Sequence, residues 1–234
     1  MKRQQGFTLI EIAIVLVIIG LLLGGVLKGQ ELITSARVRN MISTQDGVKA
    51  AYFGFLDRFR ALPGDYTAAT TNITGVANFA TNNGNGNGRV EAAGATVRED
   101  ILAWEHLSKA GFINGTYAFA AATEPSSTTS PTNPYGAYMQ VVYDAVFGPG
   151  TASARHNIKT GPQIPVEIIV EVDRKIDDGK PYAGSFQFST FQSNAVAAPQ
   201  TGAGNCVLVD ATTPADSTWL TTSGNPNCGG ASLL

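Results

Sequence analysis

From Ile12 to Leu27 the chain carries no charge, and every position but the glycines is aliphatic. Counted from Phe7, the run predicts a helix of about 31 Å, the thickness of a hydrocarbon core. Polar residues then enter, and from Leu32 to Leu62 there is no proline. Val48, Ala51, Tyr52, Phe55, Leu56 and Phe59 recur at spacings of three and four, the stripe of an amphipathic helix. Leu62-Pro63-Gly64-Asp65 supplies its stop. One helix from Phe7 to Ala61 follows, about 80 Å long, apolar all round in its first half and one-faced in its second. The aromatic stripe is a docking face for a globular head.

Beyond Pro63 the pattern weakens. Residues 65–97 are rich in Thr, Asn, Ala and Gly and read as a surface excursion. Within it, Asn82-Asn83-Gly84-Asn85-Gly86-Asn87-Gly88 reads as a tight turn, since both residue types tolerate positive φ. It could offer oxygens to calcium but lacks carboxylates, and no Lys-Ser/Thr follows to make a phosphate loop. Arg98–Ala110 predicts a short helix with Trp104 and Leu107 in the core and Gly111 as its cap. Tyr138–Phe147, Val166–Val172 and Gly184–Phe191 have strand composition. The short connection after Val172 predicts an antiparallel hairpin. Residues 193–234 are turn-rich. The fold class expected is α+β: a long N-terminal helix packed on a C-terminal head with an antiparallel sheet.

One residue breaks the apolar run. Glu11 stands near its start, where a charge at bilayer depth costs at least about 2.5 kcal/mol. Lys2 and Arg3 precede it. The run is too long for a secretory signal, and Lys28-Gly29-Gln30-Glu31 after it offers no small-residue cleavage site. A plain anchor leaves Glu11 unexplained. The stretch Gly6-Phe7-Thr8-Leu9-Ile10-Glu11 resembles the type IV pilin and pseudopilin family: a short basic leader ending in Gly, then Phe-Thr-Leu-Ile-Glu, then an apolar helix. The resemblance covers roughly the first 40 residues. It implies a leader of residues 1–6, a helix of 7–61 (7–27 in the membrane, 28–61 amphipathic) and a head of 62–234. It implies that a prepilin peptidase cuts between Gly6 and Phe7 and methylates the Phe7 amine. The subunit then leaves the inner membrane for a helical filament of like or related subunits, built by a pilus or type II secretion platform. In that filament Glu11 is neutralised by the Phe7 amine of a neighbour, which sets register. Many major pilins have a helix-breaking proline near Lys28. Its absence here leans toward a pseudopilin-like or minor subunit. Gly20, Gly24, Gly25 and Gly29 serve close packing or make a segment that can stretch.

Composition narrows the partners. A net charge of −2 with 15% charged residues gives no nucleic-acid-binding surface. Lys2 and Arg3 favour a cytoplasmic N-terminus, although Lys28, Arg37 and Arg39 weaken the asymmetry. An exported head would pair its two cysteines, Cys206 and Cys228, closing a loop over 206–228. Asp173-Arg174-Lys175-Ile176-Asp177-Asp178-Gly179 is the densest acidic cluster. Asp173, Asp177 and Asp178 could hold calcium, or sit in a solvated hairpin turn neutralised by Arg174 and Lys175. No other cofactor is indicated. His106 and His156 are isolated and make no zinc site. No G-x-S-x-G occurs, and nothing points to an enzyme. The alternatives are a pseudopilin of a type II secretion system and a membrane-tethered periplasmic binding module.

Overall fold

The computed structural model describes residues 8–76, 82–92, 97–119, 124–150, 152–193 and 196–234. The chain divides into two compact units, Met1–Arg37 and Val38–Leu234, and helix α1 (Leu9–Phe59) contributes to both. Among the described residues nothing packs on the helix in the first unit: Leu9 is 89% exposed and Leu21 73%. No charge interrupts Ile12–Leu27, and the backbone satisfies its own hydrogen bonds, so the helix forms without a tertiary partner.

The second unit is an α+β head. Its share of α1 buries Val38, Met41, Gln45, Val48, Ala51, Tyr52 and Phe55, a single face at helical spacing. Phe55 is fully buried and stacks on His106 at 6.1 Å. α1 ends at Phe59, just short of the expected Ala61, and Arg60 takes a left-handed φ of 55°. Gly64 follows at φ 91°, where a Cβ would meet the Glu99 carbonyl oxygen at 2.3 Å. That contact seats the turn on the start of α3 (Glu99–Lys109), which buries Trp104 and Leu107 as expected.

The sheet has order β1-β2-β6-β3, antiparallel throughout. β1 is Gln140–Asp144, β2 Arg155–Lys159, β3 Phe186–Phe188 and β6 Gly230–Leu233. A separate small ribbon pairs β4 (Val207–Leu208) with β5 (Thr218–Trp219). A short helix, α2 (Ala69–Asn72), follows the turn after α1.

Several expectations are corrected. Val166–Val172 is not a strand but the first part of helix α4 (Val166–Ile176). Its β-branched composition suggested a strand, but Val166, Ile169, Val170 and Asp173 fall on one helical face and are buried. Pro165 precedes the helix, Glu167 lies in its first turn, and Arg174 and Lys175 in its last. Those are helix-end signals that outweigh β-propensity. The expected hairpin after Val172 is therefore absent, and β3 pairs with β6 instead. His156 lies in β2, and the turn-rich tail ends in the central strand β6. Gly230 belongs there because a Cβ would strike the Phe186 ring at 2.3 Å. Residues 65–97 are no surface excursion where described: Ala69, Ile73, Val76 and Val90 are buried.

Charged groups are buried in the sheet as well. Lys159, 1% exposed, pairs with Asp144 on the adjacent strand and lies 5.4 Å from the Phe191 ring centre. Burial lowers the Lys159 pKa, against the pull of the Asp144 charge. Arg98 and Asp100 pair at 2.7 Å, and Gln140 donates to Asp100 at 2.9 Å.

Two predictions follow from the head. Cys206 and Cys228 are joined by a disulfide, with both cysteines buried. Replacing both by serine should cost about 3 kcal/mol in the chain-entropy description, read by urea unfolding. A loss indistinguishable from zero refutes that expectation. His106 supplies the pH dependence. Its Nδ1 accepts from the Gly64 N–H at 3.0 Å, and its Nε2–H donates to the Asn82 carbonyl at 3.0 Å, so the ring is neutral. Burial pushes its pKa down to about 4 against the bond to Asn82. The unfolded chain therefore takes up the proton first, and stability falls as pH drops from about 6.5 toward about 4. His106→Gln should destabilise more at pH 7 than at pH 4.5, by about 2 kcal/mol. Equal costs at both pH values count against the neutral-ring assignment.

Candidate functional site

The one charged side chain within the apolar half of α1 is tied to its own helix end. Thr8 precedes the first helical residue, and Glu11 is the third. The Thr8 backbone N–H and its hydroxyl both donate to Glu11 Oε2 at 2.7 Å. The Glu11 N–H lies 3.3 Å from Thr8 Oγ1. This reciprocal pair is a capping box, which satisfies two N–H groups that the first turn leaves without partners. The carboxylate also stands at the positive end of the helix dipole. Thr8 is the residue that sequence reasoning missed, although the T-x-x-E spacing before an apolar run carried the signal. The cap gives Glu11 hydrogen bonds but no counter-charge, and the side chain stays exposed. Gly6 and Phe7 lie outside the described residues.

Behind the cap, one face is not favoured over another. Large apolar side chains are exposed all round the helix from Leu9 to Leu27. The most apolar stretch of α1 has a mean hydropathy of 2.8 and buries nothing. By length and composition this helix can cross a membrane. Beside Gly20, Gly24, Gly25 and Gly29 none of the described residues approaches within 4 Å, so their flanks are open. At the far end Lys28 and Glu31 pair at 2.6 Å, both exposed.

The acidic cluster is brought together, but not as a solvated hairpin turn. Asp173 is fully buried on α4, Asp177 caps that helix and Asp178 follows it, with one oxygen of each within 4.8 Å of the others. Asp173 Oδ2 accepts from the Trp219 indole at 2.6 Å, tying α4 to β5. Asp177 accepts the Phe186 N–H at 2.8 Å, the Asp178 N–H at 2.7 Å and the Ser185 N–H, tying α4 to β3. Burial, then the neighbouring Asp177, push Asp173 up to about 8. Burial also works to raise Asp177, but hydrogen bonds from Asp173, Phe186, Asp178 and Ser185 outweigh it and hold its pKa down. At neutral pH Asp173 is therefore mostly the neutral acid, beside the ionised Asp177. A hard cation binding here has to displace that proton and compete with the N–H donors.

The Asn-Gly segment is a turn, and a carboxylate sits inside it. Gly86, Asn87 and Gly88 direct their N–H groups at Asp65, at 2.6, 3.0 and 2.8 Å. Successive N–H groups in such a turn form an anion-binding nest. Glu99 takes the Asn85 and Glu91 N–H groups at 2.9 and 3.1 Å, while burial pushes it up to about 7. Both histidines hold backbone: His106 as above, and His156 by accepting the Val90 N–H at 3.3 Å. A cleft of about 400 Å³ lies between Phe147, Arg155, Tyr182 and Leu233. Its described lining holds one guanidinium and no carboxylate, imidazole or thiol, so it presents no acid–base pair.

What distinguishes the molecule chemically is thus the start of α1. Comparison with known proteins agrees. No curated protein and no solved structure matches the chain. Residues 1–27 match the family described as the prokaryotic N-terminal methylation motif, which supports a prepilin like those of the type IV pilins and pseudopilins.

Proposed function

We propose that this chain is the precursor of a structural subunit of a type IV pilus or pilus-like filament. The observation that carries the reading is a methylation motif joined to an apolar helix half that is exposed on every side. A prepilin peptidase removes residues 1–6 and methylates the Phe7 amine. The helix holds the subunit in the inner membrane until an assembly platform moves it into the filament. There the apolar halves of many copies bury one another, and Glu11 meets the Phe7 amine of a neighbour. The missing helix-breaking proline before Pro63 favours, as second reading, a pseudopilin of a type II secretion system.

Processing is tested by intact mass. The mature protein should lack residues 1–6 and carry one added methyl group on Phe7. Retention of Met1, or a cut beyond Leu27, refutes the proposal. Gly6 replaced by a bulky residue should accumulate unprocessed in the membrane.

The two roles of Glu11, cap and counter-charge, separate by mutation. Losing a cap costs about 0.5–2 kcal/mol. Losing one partner of a buried ion pair costs about 3–5 kcal/mol at each subunit added. Glu11→Val should therefore insert and fold but nearly abolish sheared filament yield. Glu11→Gln keeps an acceptor for Thr8 without the charge, and should also assemble poorly. Thr8→Ala keeps the charge without the hydroxyl, and should assemble far better than either. Normal yield from Glu11→Val sinks the counter-charge mechanism. Thr8→Ala as defective as Glu11→Val reduces Glu11 to a cap.

A further inference from the structure

The sequence holds four Asn-Gly steps: Asn83-Gly84, Asn85-Gly86, Asn87-Gly88 and Asn114-Gly115. Such steps are chemically fragile in water. The glycine amide nitrogen, on losing its proton, attacks the asparagine Cγ. The Cγ–Nδ2 bond breaks, and the side-chain nitrogen leaves as ammonia. Water then opens the cyclic imide at either carbonyl, giving aspartate or isoaspartate. No oxidant or cofactor is needed. Glycine permits the reaction because no Cβ hinders the approach. The step requires a free glycine N–H and a side chain able to swing onto it.

Three of the four steps are denied both requirements. The Gly84 N–H donates to the Tyr66 carbonyl at 3.0 Å. The Gly86 and Gly88 N–H groups donate to the two carboxylate oxygens of Asp65, at 2.6 and 2.8 Å, and the Gly86 N–H also to the Asp65 carbonyl at 3.1 Å. A donor held on a carboxylate also resists deprotonation, since the anion beside it opposes a second negative charge. The side chains are held too. Asn83 exchanges bonds with Thr70 at 3.0 and 3.1 Å. Asn85 and Asn87 both donate to Glu91 Oε2, at 3.2 and 3.0 Å. Their own oxygens accept the Asn87 and Arg89 N–H groups, each at 2.9 Å.

The fourth step is open. Asn114 and Gly115 are exposed in the turn after α3, with Gly115 at φ 107°. Among the described residues, neither the Asn114 side chain nor the Gly115 N–H has a hydrogen-bond partner. We propose that Asn114 is the site at which this head spontaneously loses a side-chain amide, and that Asp65 protects Asn85 and Asn87 from the same fate. Asp65 thereby has a second role besides shaping the turn. The product places a new carboxylate at position 114, two residues from Phe112, whose ring meets Phe55 of α1 at 6.0 Å.

The experiment incubates the full chain at mildly alkaline pH, folded and in urea, and follows ammonia loss at each asparagine by peptide mapping. In urea all four steps should react at similar rates. In the folded chain Asn114 should convert first while Asn83, Asn85 and Asn87 persist. Breaking a bond to a charged group before attack slows the step about tenfold or more. Asp65→Ala should therefore speed Asn87 by about that factor, speed Asn85 less because the Gly86 N–H keeps the carbonyl of residue 65, and leave Asn83, held by Tyr66, unchanged. If the variant unfolds, Asn83 rises with the others, and the folded-against-urea comparison of the native sequence decides. Loop asparagines that keep pace with Asn114 in the folded chain overturn the proposal. So does an Asp65→Ala variant that stays folded, with Asn83 slow, while Asn87 is no faster.

Discussion

An apolar helix with nothing to pack against is the constraint on which the rest of the molecule depends. Each Leu, Ile or Val between Leu9 and Leu27 gains about 1.5–3 kcal/mol when moved out of water. Summed over the run, that exceeds the ~5–15 kcal/mol by which a typical domain holds its fold. The segment is driven harder toward lipid, or toward copies of itself, than the head is driven to fold. Lipid tails are as apolar as leucine, so the hydrophobic effect alone does not choose between the two. A polar group that is costly in lipid and has a partner elsewhere can make the choice. Glu11 is the one charged group between Thr8 and Leu27, and so the one candidate.

Its cap refines that argument. In the isolated subunit Thr8 supplies the carboxylate with hydrogen bonds, which lowers the cost of carrying it at the membrane face. Hydrogen bonds do not cancel the charge. The unmet part of the requirement is electrostatic, and in the proposed filament a cation brought by another copy would meet it. A cap of modest strength suits this, because a carboxylate sealed by a strong internal ion pair would have nothing left to gain from a neighbour.

Legibility in the sequence followed how local the determining forces were. α1 and its motif were readable because an uncharged aliphatic run has few other fates and because Pro63 and Gly64 mark its end. α3 was readable because Ile101, Trp104 and Leu107 repeat at helical spacing. α4 was not, since Val and Ile fit a strand as well as a buried helix, and only the placement of Pro165, Glu167, Arg174 and Lys175 told them apart. β2 and β6 gave still less. Arg155-His156-Asn157-Ile158-Lys159 is polar for a central strand, and it is stable there because Lys159 pairs with Asp144 and also feels the Asp100 charge. β6 opens on Gly230, a weak strand former chosen by the Phe186 ring above it. In each case the deciding partner is distant in sequence. The acidic cluster was visible as composition, but its burial was not, because Trp219 comes from the far end of the head.

That distance orders the assembly of the head. β6 lies between β2 and β3, so the sheet cannot close until residues 230–233 are in place. Contacts of such separation pay their loop-closure entropy before they return any stabilisation. The same late segment delivers Cys228 to Cys206, and Trp219 to Asp173. The Asp173–Asp177 pair then joins α4 to both β3 and the β4–β5 ribbon, and the disulfide, the Lys180–Asp216 ion pair and the paired Ile164 and Cys228 backbones hold the same region. α1 needs none of this, since its hydrogen bonds are internal. The two halves of the chain therefore answer to separate requirements: the helix to the apolarity of its surroundings, and the head to the arrival of its last strand and to oxidation of its cysteines.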